Sequence, residues 1–162
     1  MNYKNAITTF KVILCTMLAG FYLSSAVMAD TIIDPSPDLT PEQVVEIQLL
    51  GLKLSAGDPN RVEMEQVWRF AHPSNKAMTG PIQRFAGLFA TPSYKPLLGH
   101  DDYEITVIDQ NENNAQMLVR ITANDGQAYL YLWSVMRATD GEDKGSFMTI
   151  SVSTPRGGGT SS

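Results

Sequence analysis

The sequence predicts an α+β domain in which three N-terminal helices pack on a four-stranded antiparallel meander sheet. Apolar residues in the first half of the chain recur with helical spacing, whereas those beyond about residue 100 alternate with a period of two. Turn-forming residues separate these periodic segments from one another. A run of helices followed by a run of strands favours helices packed against one face of a single sheet.

Residues 1–29 have the features of an export signal. Lys4 and Lys11 give the segment a positive start, an apolar stretch follows, and Val27-Met28-Ala29 offers a cleavage site. We therefore expect a mature protein outside the cytoplasm, periplasmic or secreted, with no membrane segment after signal cleavage. A retained anchor and a lipid-modified Cys15 are the alternatives, although the apolar stretch is shorter than the about 20 residues that span a bilayer.

Composition argues against several classes of function. The formal net charge of −5 becomes more negative once the lysines of the signal are removed, so we expect no nucleic-acid partner. Cys15 is the single cysteine and lies within the signal, which argues against disulfides and cysteine-ligated metals. The chain has 2 histidines and no metal-binding, nucleotide-binding or dinucleotide-binding motif, so we expect no metal and no cofactor.

One folded domain is expected over residues 40–153. An extended lead-in over 30–39 precedes it, because Pro35 and Pro37 favour extended backbone. A flexible tail over 154–162 follows, since this segment contains three consecutive glycines and no apolar pattern.

The first helix is expected to begin at Thr40 and to run to about Ser55. Thr40, Pro41 and Gln43 match a capping box, in which the Thr and Gln side chains pair with amides of the first turn. Gly57 is expected to end the helix. Its apolar face is wide, which predicts a largely buried helix. That face comprises Val45, Ile47, Leu49, Leu50, Leu52 and Leu54.

Two more helices are predicted before the strands. The second covers about residues 60–71 and is stopped by Pro73, and residues 72–79 are expected to form a loop. The third opens at Gly80-Pro81 and ends at Pro92. The apolar stripes are Met64, Val67, Trp68 and Ala71 in the second helix and Ile82, Phe85, Ala86 and Phe89 in the third.

Four strands are predicted in the second half of the chain, after an irregular stretch with one tight turn near Tyr94. Asn124-Asp125-Gly126 predicts a hairpin between the second and third strands, because Asp-Gly accepts the positive φ of tight turns. The strands are expected at 103–109, around Met117–Ile121, at 127–137 and at 147–152.

The third predicted strand is apolar on both faces. Tyr129, Tyr131 and Trp133 share one face, and Leu130, Leu132 and Met136 share the other. Helices can cover one face, and the other then needs a partner subunit, a ligand or the tail. The three aromatic side chains are candidates to line a pocket for a small apolar ligand. The alternative is that they belong to the core or to a homodimer surface on the sheet face.

Three ordered motifs resemble the family designated domain of unknown function 4864. They are residues 38–45 (DLTPEQVV), 68–85 (WRFAHPSNKAMTGPIQRF) and 94–100 (YKPLLGH), and the resemblance covers about residues 38–152. That family is similar to the nuclear-transport-factor-2-like superfamily. The resemblance implies a curved antiparallel sheet wrapped around helices, forming a cone with an open end. It implies no activity, and His72 stands where the family pattern has Ser.

His72 has two interpretations. As a general base it would act at the mouth of the cone, with Arg84 and Tyr94 orienting a substrate. As a structural residue it would lie at the C-terminal end of the second helix, beside free carbonyl groups. His100 is expected to be a loop residue.

Arg69 and Arg84 lie on predicted helices beside aromatic neighbours. Their planar guanidinium groups suit a carboxylate ligand. The alternative is an internal ion pair with Glu63, Glu65 or an acidic loop.

The sequence favours an exported, non-enzymatic domain that binds a small molecule or a protein. The predicted ligand-binding residues are Arg84, Tyr94, Tyr129, Tyr131 and Trp133. The alternative is a small isomerase, dehydratase or hydrolase with a pocket at the open end of the cone and His72 as its base. Only analogy of fold supports that alternative.

Overall fold

A computed structural model describes residues 32–153 of the chain. The predicted signal and the predicted tail lie outside the described residues. Within them the architecture is α+β, as predicted, with helices followed by a four-stranded antiparallel sheet. The helices are α1 (Pro41–Ser55), α2 (Val62–Arg69), α3 (Pro73–Thr79) and α4 (Ile82–Leu88), and a 3-10 turn covers Lys95–Leu97.

The sheet places the four strands side by side in chain order, and each strand is antiparallel to its neighbour. Gly126 has φ of 80° in the predicted hairpin, the conformation that glycine adopts without strain. All four strands lie where the sequence predicted them. The strands are β1 (Asp102–Gln110), β2 (Asn114–Thr122), β3 (Ala128–Arg137) and β4 (Phe147–Val152).

The start of α1 has the predicted capping box. The Gln43 amide donates to Thr40 Oγ1 at 3.2 Å, and the Thr40 amide donates to Gln43 Oε1 at 2.9 Å. The helix ends at Ser55, as predicted, and its C-cap Ala56 has a left-handed φ of 50° one residue before the predicted terminator.

The apolar face of α1 is narrower than predicted. Leu50 and Leu54 are more than half exposed, whereas Gln48 is buried. Gln48 lies on the buried side because its Nε2 donates to the Val67 carbonyl of α2 at 2.9 Å. Packing against α2 and β4 therefore sets the buried face, and two of the predicted core leucines lie outside it.

The prediction of a loop over residues 72–79 was wrong, because α3 fills this segment. Pro73 is the first residue of a new helix, where its missing N–H and its fixed φ are compatible with helical geometry. His72 is the N-cap of α3. None of the residues of α3 is buried. The helix therefore needs no apolar stripe, and the sequence contains none that would predict it. The described chain consequently has four α-helices, where three were predicted.

The core lies between the helices and one face of the sheet. Pairs of facing residues on β2 and β3, such as Met117 and Trp133 or Val119 and Tyr131, point into it. A row of aromatic contacts runs along the helical side, joining Trp68, Phe85, Phe89 and Tyr94 with ring centroids 5.0, 5.3 and 6.3 Å apart in turn.

The opposite side of the sheet carries an apolar patch, which we call the outer face and define by Leu118, Leu130 and Leu132. Leu118 pairs with Leu132 across β2 and β3. Leu118 is 36% exposed and Leu130 is 44% exposed. The prediction that β3 is apolar on both sides is confirmed, and the described residues leave the outer face only partly covered.

No helix among residues 32–153 combines the length and the apolar character that crossing a membrane requires.

Candidate functional site: an apolar pocket at the edge of the sheet

An apolar pocket of about 180 Å³ lies among α3, α4, the 3-10 turn and β4. Its base reaches α1, α2 and β3. Met78, at its rim, is 80% exposed, an unusual position for so apolar a side chain. Aromatic and aliphatic side chains form most of the walls. They include Leu52, Val67, Met78, Phe85, Leu88, Phe89, Leu97, Trp133 and Val152.

A buried chain of hydrogen bonds lies at the base of this pocket. Trp133 Nε1 donates to Thr149 Oγ1 at 2.9 Å, and the Thr149 hydroxyl donates to Gln48 Oε1 at 2.5 Å. The other end of the Gln48 amide donates to Val67. All three side chains are buried, and each of their polar groups has a partner. The base is therefore polar in composition, but each of these polar atoms is already engaged by a protein partner.

Three polar side chains higher on the walls are also paired with the backbone. Asn75 Nδ2 donates to the Thr149 carbonyl at 3.2 Å, and Thr79 donates to the Asn75 carbonyl at 2.8 Å. The Tyr94 hydroxyl donates to the Val152 carbonyl at 3.0 Å. These bonds join α3 and the segment before the 3-10 turn to the edge strand β4, so they fix the shape of the pocket.

Among the described residues that line the pocket, Tyr94 has the one titratable side chain. Burial raises the pKa of its hydroxyl above the ordinary value of 10.0. No group in the lining therefore exchanges a proton near neutral pH, as general acid-base catalysis requires.

His72 is close to the pocket in sequence but is not among its lining residues. The Ser74 amide donates to His72 Nδ1 at 3.2 Å, and the Ser74 hydroxyl lies 2.7 Å from the same nitrogen. Nδ1 is thus an acceptor that caps α3. Helix α2 ends at Arg69 with Phe70 as its C-cap, so the predicted structural role beside the carbonyls of the second helix was wrong. His72 begins a helix instead.

The two arginines predicted to bind a carboxylate have different surroundings. Arg69 donates through both terminal nitrogens to Asp143, each at 2.9 Å, and through Nε to Asp34 at 2.7 Å. The predicted ion pair with an acidic loop is therefore confirmed for Arg69. Glu63 pairs with Arg61. The Arg84 side chain is exposed and makes no hydrogen bond or ion pair with any described residue.

The three aromatic residues of β3 also have different surroundings. Trp133 lines the pocket, as does Tyr94. Tyr131 is completely buried in the core, where its hydroxyl donates to the Ser93 carbonyl at 3.0 Å. Tyr129 borders a different hollow beside Asn124. The structure thus brings two of the five predicted ligand-binding residues into the pocket lining, Tyr94 and Trp133.

His100 is a loop residue, as predicted, but it is completely buried. Its Nδ1 lies 2.8 Å from the Leu97 carbonyl, to which it donates, and the ring packs edge-on against Tyr103 at 5.9 Å. Nε2 has no hydrogen-bond partner among the described residues. Protonation of this nitrogen would bury an unpaired charge, so His100 is held neutral in the folded protein.

Both histidines make the domain sensitive to acid. Burial lowers the pKa of His72 and of His100 below the ordinary value of 6.5. Below about pH 6.5 the unfolded chain takes up protons that the folded chain does not, so the free energy of unfolding should fall as the pH falls. Urea titrations from about pH 7.5 to about pH 5.5 measure this slope. His100→Asn, which keeps a donor near Leu97, should flatten the slope, and an unchanged slope would contradict the assignment.

No group of three or more His, Cys, Asp or Glu side chains within residues 32–153 is arranged to hold a metal ion. Two wider hollows, of about 480 and 690 Å³, are shallower depressions beside Ala56 and the segment 95–99. Each has one aromatic residue in its lining, Phe89 or Tyr129, whereas four aromatic residues line the apolar pocket. The apolar pocket is therefore the better candidate site.

Gln48 and Thr149 are the site residues that sequence reasoning missed. A signal for Gln48 is present, because it is a lone polar residue at helical spacing between Val45 and Leu52. Such a residue on a buried face needs a hydrogen-bond partner. Thr149 gives no comparable signal, since threonine is common in strands.

Comparisons with protein-family models, with curated proteins and with solved structures gave no match for this chain.

Proposed function

We propose that the domain over residues 40–153 is a non-enzymatic binding module that takes the apolar body of a small molecule into the apolar pocket. The observation that carries the proposal is the chemistry of the lining: its walls are apolar, and the side chains of Gln48, Asn75, Thr149 and Trp133 are already paired. Burial of apolar surface is then the main interaction left for a ligand. An enzyme that uses His72 as its base is less favoured, because His72 caps α3 instead of lining the pocket.

The size of the pocket limits the ligand. A dry apolar cavity of about 150 Å³ accommodates benzene. The pocket of about 180 Å³ therefore suits one aromatic ring or a short alkyl chain. A sterol or a long lipid would extend over the rim, where Met78 offers further apolar contact.

The proposal includes export and a cone-shaped fold. The composition of residues 1–29 supports a signal, so the binding module would act in the periplasm or outside the cell. The order of helices before a meander, and a pocket beside the edge strand β4, support a curved sheet of the nuclear-transport-factor-2-like kind with the pocket at its open end. The three sequence motifs support membership of domain of unknown function 4864.

Leu88→Trp is expected to block binding. Leu88 is half-buried in the lining, and a larger ring at this position would occupy the pocket. The matched control is Leu130→Trp, which adds the same ring on the outer face. Heat release during titration with hexanol measures binding and does not depend on the added tryptophans. We expect an at least tenfold weaker affinity for Leu88→Trp, which corresponds to about 1.4 kcal/mol, and no change for the control. Equal binding by both variants would place the ligand elsewhere.

A homodimer through the sheet is the second candidate function. The outer face supports it, because Leu118 and Leu130 are exposed side by side with Leu132. Scattered single leucines are normal on a surface, but adjacent ones indicate a contact site. Sedimentation over a wide concentration range tests the candidate. A monomer at every concentration would refute it, and Leu130→Glu should dissociate a dimer if one forms.

A further inference from the structure

The pocket is built mainly from a stretch of the chain that lacks acidic residues. All 17 Asp and Glu residues of this acidic protein lie outside residues 66–100. That stretch contains α3, α4 and the 3-10 turn, which form three sides of the pocket. The fourth side, β4, has no charged residue. A negatively charged ligand would therefore meet no carboxylate on the elements around the rim.

Residues 66–100 carry four cationic side chains, and two of them are engaged elsewhere. Arg69 is paired with Asp34 and Asp143. Lys76 Nζ lies 3.4 Å from the Arg69 carbonyl and 5.6 Å from the centroid of the Trp68 ring. These contacts hold α2 and α3 together and leave neither cation free for a ligand.

The two remaining cations differ in their position. Lys95 borders the two wider hollows instead of the apolar pocket. Arg84 lies on α4 one turn before Leu88, so the two side chains project from the same side of the helix. Of the four cations in residues 66–100, Arg84 is therefore the one that is both unpaired and adjacent to the pocket lining.

The stem of Arg84 is held toward α3. A Cβ added to Gly80 would lie 2.9 Å from Arg84 Cδ and 3.6 Å from Nη1, so the side chain folds over this glycine. Gly80 directly follows Thr79, a lining residue. The guanidinium group therefore lies close to Gly80, at the junction of α3 and α4, and next to the lining residue Thr79 in sequence.

We propose that the ligand is a small amphiphilic anion, a carboxylate attached to one ring or to a short alkyl chain, and that Arg84 binds the carboxylate at the rim. This inference rests on the proposed function, because it assigns the polar end of a molecule whose apolar end enters the pocket. The planar guanidinium group can donate two parallel hydrogen bonds to a carboxylate. It requires no rearrangement of an existing ion pair, since Arg84 has no partner among the described residues.

The test compares hexanoate with hexanol, which have the same length of chain and differ in charge near neutral pH. Titrations follow Trp133 fluorescence and heat release in wild type, in Arg84→Gln and in Arg120→Gln. Arg120 is an exposed arginine on the sheet, away from the pocket, and serves as the matched control. We expect hexanoate to bind wild type about fivefold more tightly than hexanol, as for a partly exposed ion pair. Arg84→Gln should abolish this preference, and Arg120→Gln should keep it.

The outcomes separate the two proposals. Equal affinity of wild type for hexanoate and hexanol would overturn the assignment of an anionic ligand and leave the binding module in place. A preference for hexanoate that persists in Arg84→Gln would overturn the role of Arg84. Failure of both compounds to bind would overturn both proposals. Loss of the preference at high salt would support the ion pair, because salt screens an exposed charge.

Discussion

Gly51→Ala is expected to destabilise the domain although alanine is the better helix former. A Cβ at this position would lie 2.7 Å from the Glu63 carbonyl oxygen and 2.7 Å from Val67 Cγ2. The valine can rotate, but a backbone carbonyl moves only with its helix, so α1 and α2 would have to separate. Overpacking typically costs about 1–3 kcal/mol, and a clash with an immobile carbonyl belongs to the upper part of that range, above the about 1 kcal/mol gained in helix propensity.

Gly87→Ala is the matched control in α4. No atom lies within 4 Å of the position that its Cβ would occupy. The same substitution should therefore stabilise the domain by about 0.5–1 kcal/mol. Urea denaturation of both variants measures the difference, with the midpoint falling for Gly51→Ala and rising for Gly87→Ala. Two midpoints that rise together would show that the contact between α1 and α2 is looser than the structure has it.

The contrast between these two glycines shows what a single sequence cannot reveal. Gly51 and Gly87 both interrupt apolar helical patterns, and nothing local distinguishes them. Only the partner helix decides that one is packed and the other open. Thr40 differs in this respect, since its capping box involves residues three apart and could be predicted in full.

Helix α3 could not be predicted for the same reason: contacts with residues far away in the sequence decide its structure. Its residues, PSNKAMT, form no apolar stripe, and the sequence alone indicates Pro73 as a terminator although it is the first residue of the helix. The backbone of the segment is fixed by β4: His72 N–H donates to the Thr149 carbonyl, and the Thr149 N–H donates to Phe70. Such contacts join residues far apart in sequence, so they leave no local pattern.

The candidate site could be predicted only in part. The pattern of β3 showed that Tyr131 and Trp133 face the same way, but a period of two cannot distinguish a core from a pocket wall. Which of them borders empty space depends on where α3 and the 3-10 turn end. The chemistry of Arg84 suggests a role in binding, but only the packing of α4 beside α3 shows that its stem lies over Gly80.

Thr149→Val is expected to lower the free energy of unfolding by several kcal/mol. Valine has nearly the same shape but removes the hydroxyl that joins Gln48 to Trp133. Gln48 Oε1 and Trp133 Nε1 would then be buried without partners, at a cost of about 1–3 kcal/mol each. A total of about 2–6 kcal/mol is a large part of the 5–15 kcal/mol that holds a typical domain folded.

Two variants make this prediction specific to the hydrogen bonds. Thr149→Ser keeps the hydroxyl and should lose only about 1 kcal/mol for one methyl group. Thr106→Val makes the same change as Thr149→Val at an exposed position of β1 and should be nearly neutral. Guanidinium denaturation of all three variants gives the comparison. Equal losses for Thr149→Val and Thr149→Ser would mean that the buried chain contributes little, and that the shape of the pocket base depends on packing alone.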